Sequence, residues 1–264
     1  MLIIGERINA SRKGIARAIE ARDRAFIQNE VQIQEEAGAD YIDVNAALFV
    51  DREADYLKWA VEVVQEATER PLCIDSPDPE AIREVLPGVD KSPMINSITL
   101  ESSRLERLLP VVRKYGATVI GLCQSETVIA KSLEEKRDLA GELVDKVTEA
   151  GIPLEALYID PLIFPVAAET SSAAFTLEAI STIMTSFPGV HTICGLTNVS
   201  HGLPQRKLVN RTFLVAAVSR GLDAVIMDPT DRALYAALKT SVMLAGEDDF
   251  CMEYIRAHRE GRLA

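Results

Sequence analysis

Eight short apolar runs, nearly every one closed by a polar residue, constrain this chain more than any other feature. They are Leu2–Gly5 before Glu6, Tyr41–Val44 around Asp43 and Asn45, and Leu72–Ile74 before Asp75. Then come Met94–Ile95 before Asn96, Val119–Leu122 before Gln124, Leu157–Ile159 before Asp160, Ile193–Leu196 before Asn198, and Val225–Met227 before Asp228. The runs are mostly unbroken instead of alternating, as strands are when both sheet faces are covered. Between them lie stretches at helical spacing, such as Tyr56, Ala60, Val63, Val64 and Ala67, Leu105, Leu108, Leu109 and Val112, and Leu139, Leu143 and Val147. Gly38, Gly116, Gly151 and Gly221 each close a helical stretch ahead of an apolar run, where a left-handed residue ends a helix.

Strand, helix, glycine and strand thus recur about eight times, which predicts an α/β fold, a (β/α)₈ TIM barrel. The 264 residues suit one such barrel, and no composition shift marks a linker, so residues 1–264 read as a single domain. A long loop is expected from Leu162 to Ala174, and a short charged helix over residues 247–264.

Composition narrows the partners. Twenty-eight basic against 40 acidic side chains leave a net charge of -12, which argues against a nucleic-acid surface. No apolar stretch approaches the roughly 18 residues that span a bilayer. The opening MLIIGERIN reads as a strand and leaves no room for a signal peptide, so a cytoplasmic protein is expected. Cys73, Cys123, Cys194 and Cys251 are too scattered for a disulfide framework and lack zinc spacing, so no bound metal is expected.

In a barrel of this kind the strand ends converge on one rim, where active sites sit. Asp75, Asn96 and Asp160 each follow a strand core, in CIDS, MINS and YIDP. With Asp43, Asn45 and Asn198 they form a ring of carboxylates and carboxamides with few cations, matched to a heterocycle rich in N–H groups such as a pterin. Any one of them alone could be a helix cap. His191 and His258 read as structural, and the basic group Gln205, Arg206, Lys207 and Arg211 as a solvated helix face or an attractor of carboxylates.

GERIN at 5–9, DVN at 43–45, CIDS at 73–76, MINS at 94–97, YIDP at 158–161, GLTNVS at 195–200 and NRTF at 210–213 occur in that order. The series resembles the methyltetrahydrofolate:corrinoid methyltransferases over essentially the full length. That family lies among the pterin-binding barrels, with dihydropteroate synthase and the folate module of methionine synthase as relatives.

The resemblance implies that Asp75, Asn96 and Asp160 hold the pterin ring. Asn198 would lie near N5; the reaction's need for a proton there makes Asp75 a candidate for a more remote electrostatic partner. Glu6 would line the pocket, Gly195 and Thr197 would approach the ring, and Arg206 would lie nearer the p-aminobenzoate–glutamate portion. Thr197 stands where serine is common and His201 where glutamine is common, a departure that bears on contacts at the open side of the folate; by its place in SHGLPQRK, His201 reads as a loop contact. The implied enzyme moves a methyl group between N5 of tetrahydrofolate and the cobalt of cobalamin on a separate corrinoid protein. It would meet that protein transiently and is itself expected to be a homodimer. No Asp-x-His-x-x-Gly motif is present for carrying a corrinoid. Two alternatives stay open: a dihydropteroate synthase, whose lysine–arginine–histidine set is missing from the last strands, and a non-catalytic folate-binding subunit.

Overall fold

The computed structural model describes residues 1–263 and closes eight parallel strands into a barrel in the order β1 to β8. The strands are β1 (Leu2–Asn9), β2 (Tyr41–Asn45), β3 (Leu72–Asp75), β4 (Met94–Ile98), β5 (Thr118–Leu122), β6 (Leu157–Asp160), β7 (His191–Gly195) and β8 (Ala224–Met227). The first two outer helices, α1 (Lys13–Glu20) and α2 (Arg24–Glu36), both follow β1. Then come α3 (Glu53–Gln65), α4 (Pro79–Val85), α5 (Ser102–Tyr115), α6 (Leu133–Glu149), α7 (Ser172–Ser186), α8 (Arg206–Val218), α9 (Arg232–Leu244) and α10 (Met252–Arg259). The expected repeat is present, with α1 and α10 as additions to it. The loop after β6 is shorter than expected, because α7 begins at Ser172.

Alternate residues of a strand point to opposite faces, so each strand here has an outward set packed on helices and an inward set. Ile4, Cys73, Met94, Ile120, Ile193 and Ala224 pack together as an apolar layer of their own. Two positions further along, the inward residues become Glu6, Asp75, Asn96, Gly195 and Ile226. The outward set, with the buried helix residues predicted from periodicity, fills the space between barrel and helices. His191 is the first residue of β7 instead of preceding the strand; it stacks on Tyr158 and bonds Asp223 at 2.5 Å.

Two bulges shape the barrel's carboxyl end. Gly5 pairs with Ile42 and Ile8 with Val44, so Glu6 and Arg7 together face the single residue Asp43. On β4, Asn96 pairs with Ile120 and Ile98 with Gly121, leaving Ser97 extra. A bulge re-aims side chains and is common beside active sites.

Two buried cations hold the loops that follow the strands. Arg104 of α5 donates to the carbonyls of Ser97 at 2.7 Å, Ser76 at 2.9 Å and Pro77. Lys136 of α6 is fully buried and donates to the carbonyls of Ala130 at 3.2 Å, Pro161 at 2.5 Å and Leu162 at 2.6 Å. Leu162 has a φ of 60°, a costly conformation for a branched side chain. It is pinned from both ends, since its N–H donates to Asp160 Oδ1 at 2.8 Å. Replacing Lys136 by Met keeps the volume and strands three carbonyls in the interior. Lys136→Met is therefore expected to cost about 1–3 kcal/mol, read as a lower urea midpoint at unchanged slope.

Candidate active site

A cavity of about 830 Å³ opens at the carboxyl ends of the strands, within the range of small-molecule sites. Asp43, Asp75, Asn96, Glu6, Gly195, Thr197, Asn198, His201 and Arg206 all line it, which unites eight of the nine site residues carried over by resemblance. Asp160 is the ninth. It is 7% exposed, behind the lining, where it accepts from Leu162 and from the backbone of Gly195.

Register explains the acidic side of the cavity. Asn45 pairs with Asp75 and Asp75 with Asn96 across β2, β3 and β4. The Asn45 carboxamide donates to Asp75 Oδ2 at 2.9 Å while its own Oδ1 caps Ala47 at 3.0 Å. Asp43 lies next to Cys73, two residue pairs deeper, and its Oδ1 has no hydrogen-bond partner among the described residues.

Desolvation dominates the protonation of these groups. Burial pushes Asp75 up to about 6 against the opposing hydrogen bond from Asn45, with Glu53 raising it and Arg104 lowering it. Burial pushes Asp160 up to about 6, although the Leu162 N–H, Lys136 and the Gly195 N–H favour the charged form. Burial, with Asp228 nearby, pushes Glu6 up to about 7, and Arg12 and Arg206 offset part of this. Asp43 is driven well above the carboxylate range by burial and by Asp75.

Asn198 lies in a short 3₁₀ turn, Leu196–Ser200, after β7 instead of on the strand. A Cβ on Gly195 would stand 3.2 Å from Asn198 Nδ2, so glycine is what lets the carboxamide lie over the strand end. Arg206 staples the turn: Nε donates to Ser200 Oγ at 3.1 Å and Nη2 to the Thr197 carbonyl at 3.0 Å. Its role toward a bound ligand is thus shared with support of the turn that carries Asn198.

The expectation of few cations needs correction, because Arg7, Arg12, Arg206 and Lys207 all line the cavity. Arg7 donates to Glu30 at 2.9 Å, Asp228 at 3.0 Å and Thr230 at 3.1 Å. Arg12 lies 3.7 Å from Asp228, and Lys207 pairs with Asp231 at 3.2 Å. Although burial opposes it, Asp228 is held below its usual range by Thr230, Arg7 and Arg12. Neither Arg7 nor Arg12 closes an apolar run, and composition and spacing carry no sign of the β1 bulge that holds Arg7, so the sequence pattern does not mark them as lining residues. Arg211 turns back to the Lys207 carbonyl and is no part of the lining.

The raised value of Glu6 has a consequence for stability. An acid that binds its proton more tightly when folded stabilises the fold at low pH. That contribution disappears as pH rises from about 4.5 in the unfolded chain through about 7 in the folded one. Glu6→Gln should leave stability nearly unchanged at pH 4, below the unfolded value, and raise it at pH 8 by on the order of 1–3 kcal/mol, measured as a shift in thermal midpoint.

Residues 5–228 match the pterin binding enzyme family. The whole chain is 36% identical to the methylcorrinoid:tetrahydrofolate methyltransferase of Eubacterium limosum, covering 98% of that protein. It is 29% identical over 242 residues to methionine synthase of Mycobacterium tuberculosis, spanning 86% of this chain and only 20% of that enzyme. Dihydropteroate synthase of Coxiella burnetii, solved with pteroic acid, superposes with a TM-score of 0.69 at 18% identity, over 92% of this chain and 93% of that one. The Xanthomonas albilineans dihydropteroate synthase with 7,8-dihydropteroate reaches 0.69 at 20% identity, over 92% and 91%. These structural likenesses carry the fold alone. Full-length identity and the family match together show that this chain belongs to the pterin-binding enzymes and, among them, to the family of the corrinoid–tetrahydrofolate methyltransferases.

Proposed function

We propose that this protein moves a methyl group between N5 of tetrahydrofolate and the cobalt of a corrinoid carried by a separate protein. The observation that carries the reading is the similarity over the entire chain to a methylcorrinoid:tetrahydrofolate methyltransferase. The cavity fits a folate: its floor is acidic and amidic, its rim basic. Asp75, Asn96 and Glu6 meet the N–H groups of the reduced pterin, with Asp160 holding Gly195 and the Leu162 loop in place behind them. Arg12, Arg206 and Lys207 attract the glutamate carboxylates. The whole described barrel serves as one pterin-binding unit. No described helix is long and apolar enough to cross a membrane. Cytoplasmic location and a homodimer belong to the same reading.

A methyl group on N5 is a poor electrophile, because departure of the neutral amine's nitrogen as an anion is prohibitive. A proton or a strong hydrogen bond must develop at N5 as the C–N bond breaks, assistance worth about 10²–10⁴-fold. The partner's corrinoid supplies the nucleophilic cobalt, chemistry that belongs to the cofactor. This chain supplies orientation and the proton's surroundings. Asn198 is exposed in the cavity wall on a turn anchored by Arg206, where a carboxamide can turn toward N5 without adding a charge. Asp75 acts from further away through its field.

Mixing the protein with methyltetrahydrofolate and a reduced corrinoid should give the absorption change of corrinoid methylation. Asn198→Ala is expected to slow that change by about 10²-fold, with folate affinity reduced far less. Tight folate binding without methyl transfer from any corrinoid donor would leave a binding subunit. Formation of pteroate from dihydropterin pyrophosphate and p-aminobenzoate would replace the reading by dihydropteroate synthesis.

A further inference from the structure

Asp43 has no assigned part in the cavity, yet its position is unusual for a carboxylate. It is 2% exposed, lines the cavity, and leaves Oδ1 without a hydrogen-bond partner among the described residues. A buried carboxylate is normally met by an arginine, a lysine or several N–H groups, because an isolated charge in the interior is prohibitively costly. The charged groups that face Asp43 are carboxyls, Asp75 on β3 and Glu6 from the bulge in β1; the Cys73 thiol and the Asn96 carboxamide on β4 hydrogen-bond to it and favour its ionised form, yet Oδ1 stays without a partner among the described residues. The buried Arg104 is spent on the carbonyls of Ser76, Pro77 and Ser97, and its charge reaches Asp75 and Glu53. Arg7 is taken by Glu30 and Asp228.

We propose that Asp43 carries a proton in the resting protein and presents it, as a neutral carboxyl, to an acceptor atom of the heterocycle bound in the cavity. The inference rests on the pterin reading of the site and adds to it. Carboxylates can only accept, whereas a reduced pterin shows ring-nitrogen and carbonyl acceptors beside its N–H groups. With Asp75 as acceptor, Asn96 as both, and Asp43 as donor, the floor matches both kinds of edge. Burial and the neighbouring carboxylates push the Asp43 carboxyl in the direction this requires, against the hydrogen bonds from Cys73 and Asn96. A hydrogen bond given by the neutral acid costs no charge burial, so the unpartnered oxygen need not be ionised while the cavity stands free.

Infrared spectroscopy of the ligand-free protein at pH 7 tests the proton directly. The carbonyl band of a protonated buried carboxyl should be present in the wild type and missing from Asp43→Asn. If the substitution instead removes a carboxylate band, the proposal is overturned whatever the ligand is. Tetrahydrofolate affinity tests the donor role. Asn retains an N–H donor and the shape, so Asp43→Asn should bind within about threefold of wild type at pH 7, and Asp43→Ala at least about tenfold more weakly. Wild-type affinity should fall on the alkaline side as Asp43 gives up its proton, and Asp43→Asn should lose that fall. The acid-side fall, from Asp75 and Glu6, should remain in both.

Asp43→Asn as weak as Asp43→Ala, with an unchanged urea midpoint, would mean that the charge is what binds, and would overturn the idea. Equal affinity of wild type, Asn and Ala would also overturn it. Failure of the wild type to bind any folate, with the carboxyl band present, would sink the pterin reading and spare the proton assignment.

Discussion

Removing several carboxyl groups from water at the end of one barrel, with the nearby cations engaged by other partners, is the condition on which the site depends. Asp43, Asp75, Asp160 and Glu6 are all shifted toward their neutral forms, and burial is the first cause in each. In bulk water the same four groups would be ordinary anions at neutral pH. Here Asp75 and Asp160 are pushed up to about 6, Glu6 to about 7 and Asp43 well above its ordinary value, so a ligand that brings N–H donors favours their charged forms.

The balance needs rigid walls. Arg104 and Lys136 perform equivalent tasks on opposite sides of β5: each is a buried cation sent from an outer helix to gather carbonyls of the loops that follow the strands. Neither needs a carboxylate partner, since the carbonyl dipoles solvate the charge. The Lys136 cluster reaches the cavity by relay. It fixes Leu162, whose N–H is held by Asp160, which in turn accepts from Gly195, the residue beneath Asn198. Asp160 thereby influences the cavity without standing in its lining.

The cavity is also divided. Its β2–β4 side is acidic and deep, and its β1, β7 and β8 side carries Arg7, Arg12, Arg206 and Lys207 toward the opening. Those cations are largely committed to Asp228, Asp231, Glu30 and the turn after β7. A folate laid with its pterin on the acidic floor would bring its carboxylates to this basic rim.

Much of this was written in local pattern. Unbroken apolar runs, helical spacing at Tyr56, Ala60 and Val63, and glycines at Gly38, Gly116, Gly151 and Gly221, all with positive φ, dictate strands, helices and their stops at short range. Eight repeats then leave a closed barrel as the way to cover every face, and polar residues at the strand ends must share one rim. Hence Asp75, Asn96 and Asn198 could be placed together without coordinates. What local pattern could not express was anything settled between strands. The β1 bulge that sets Glu6 and Arg7 against Asp43, the withdrawal of Asp160 behind Gly195, the gathering of Arg12 and Lys207, and the loneliness of Asp43 Oδ1 all depend on register and on distances between residues far apart in the chain. Side-chain periodicity tells each residue which face to take; only the closed barrel decides which charges become neighbours and how much water is left between them.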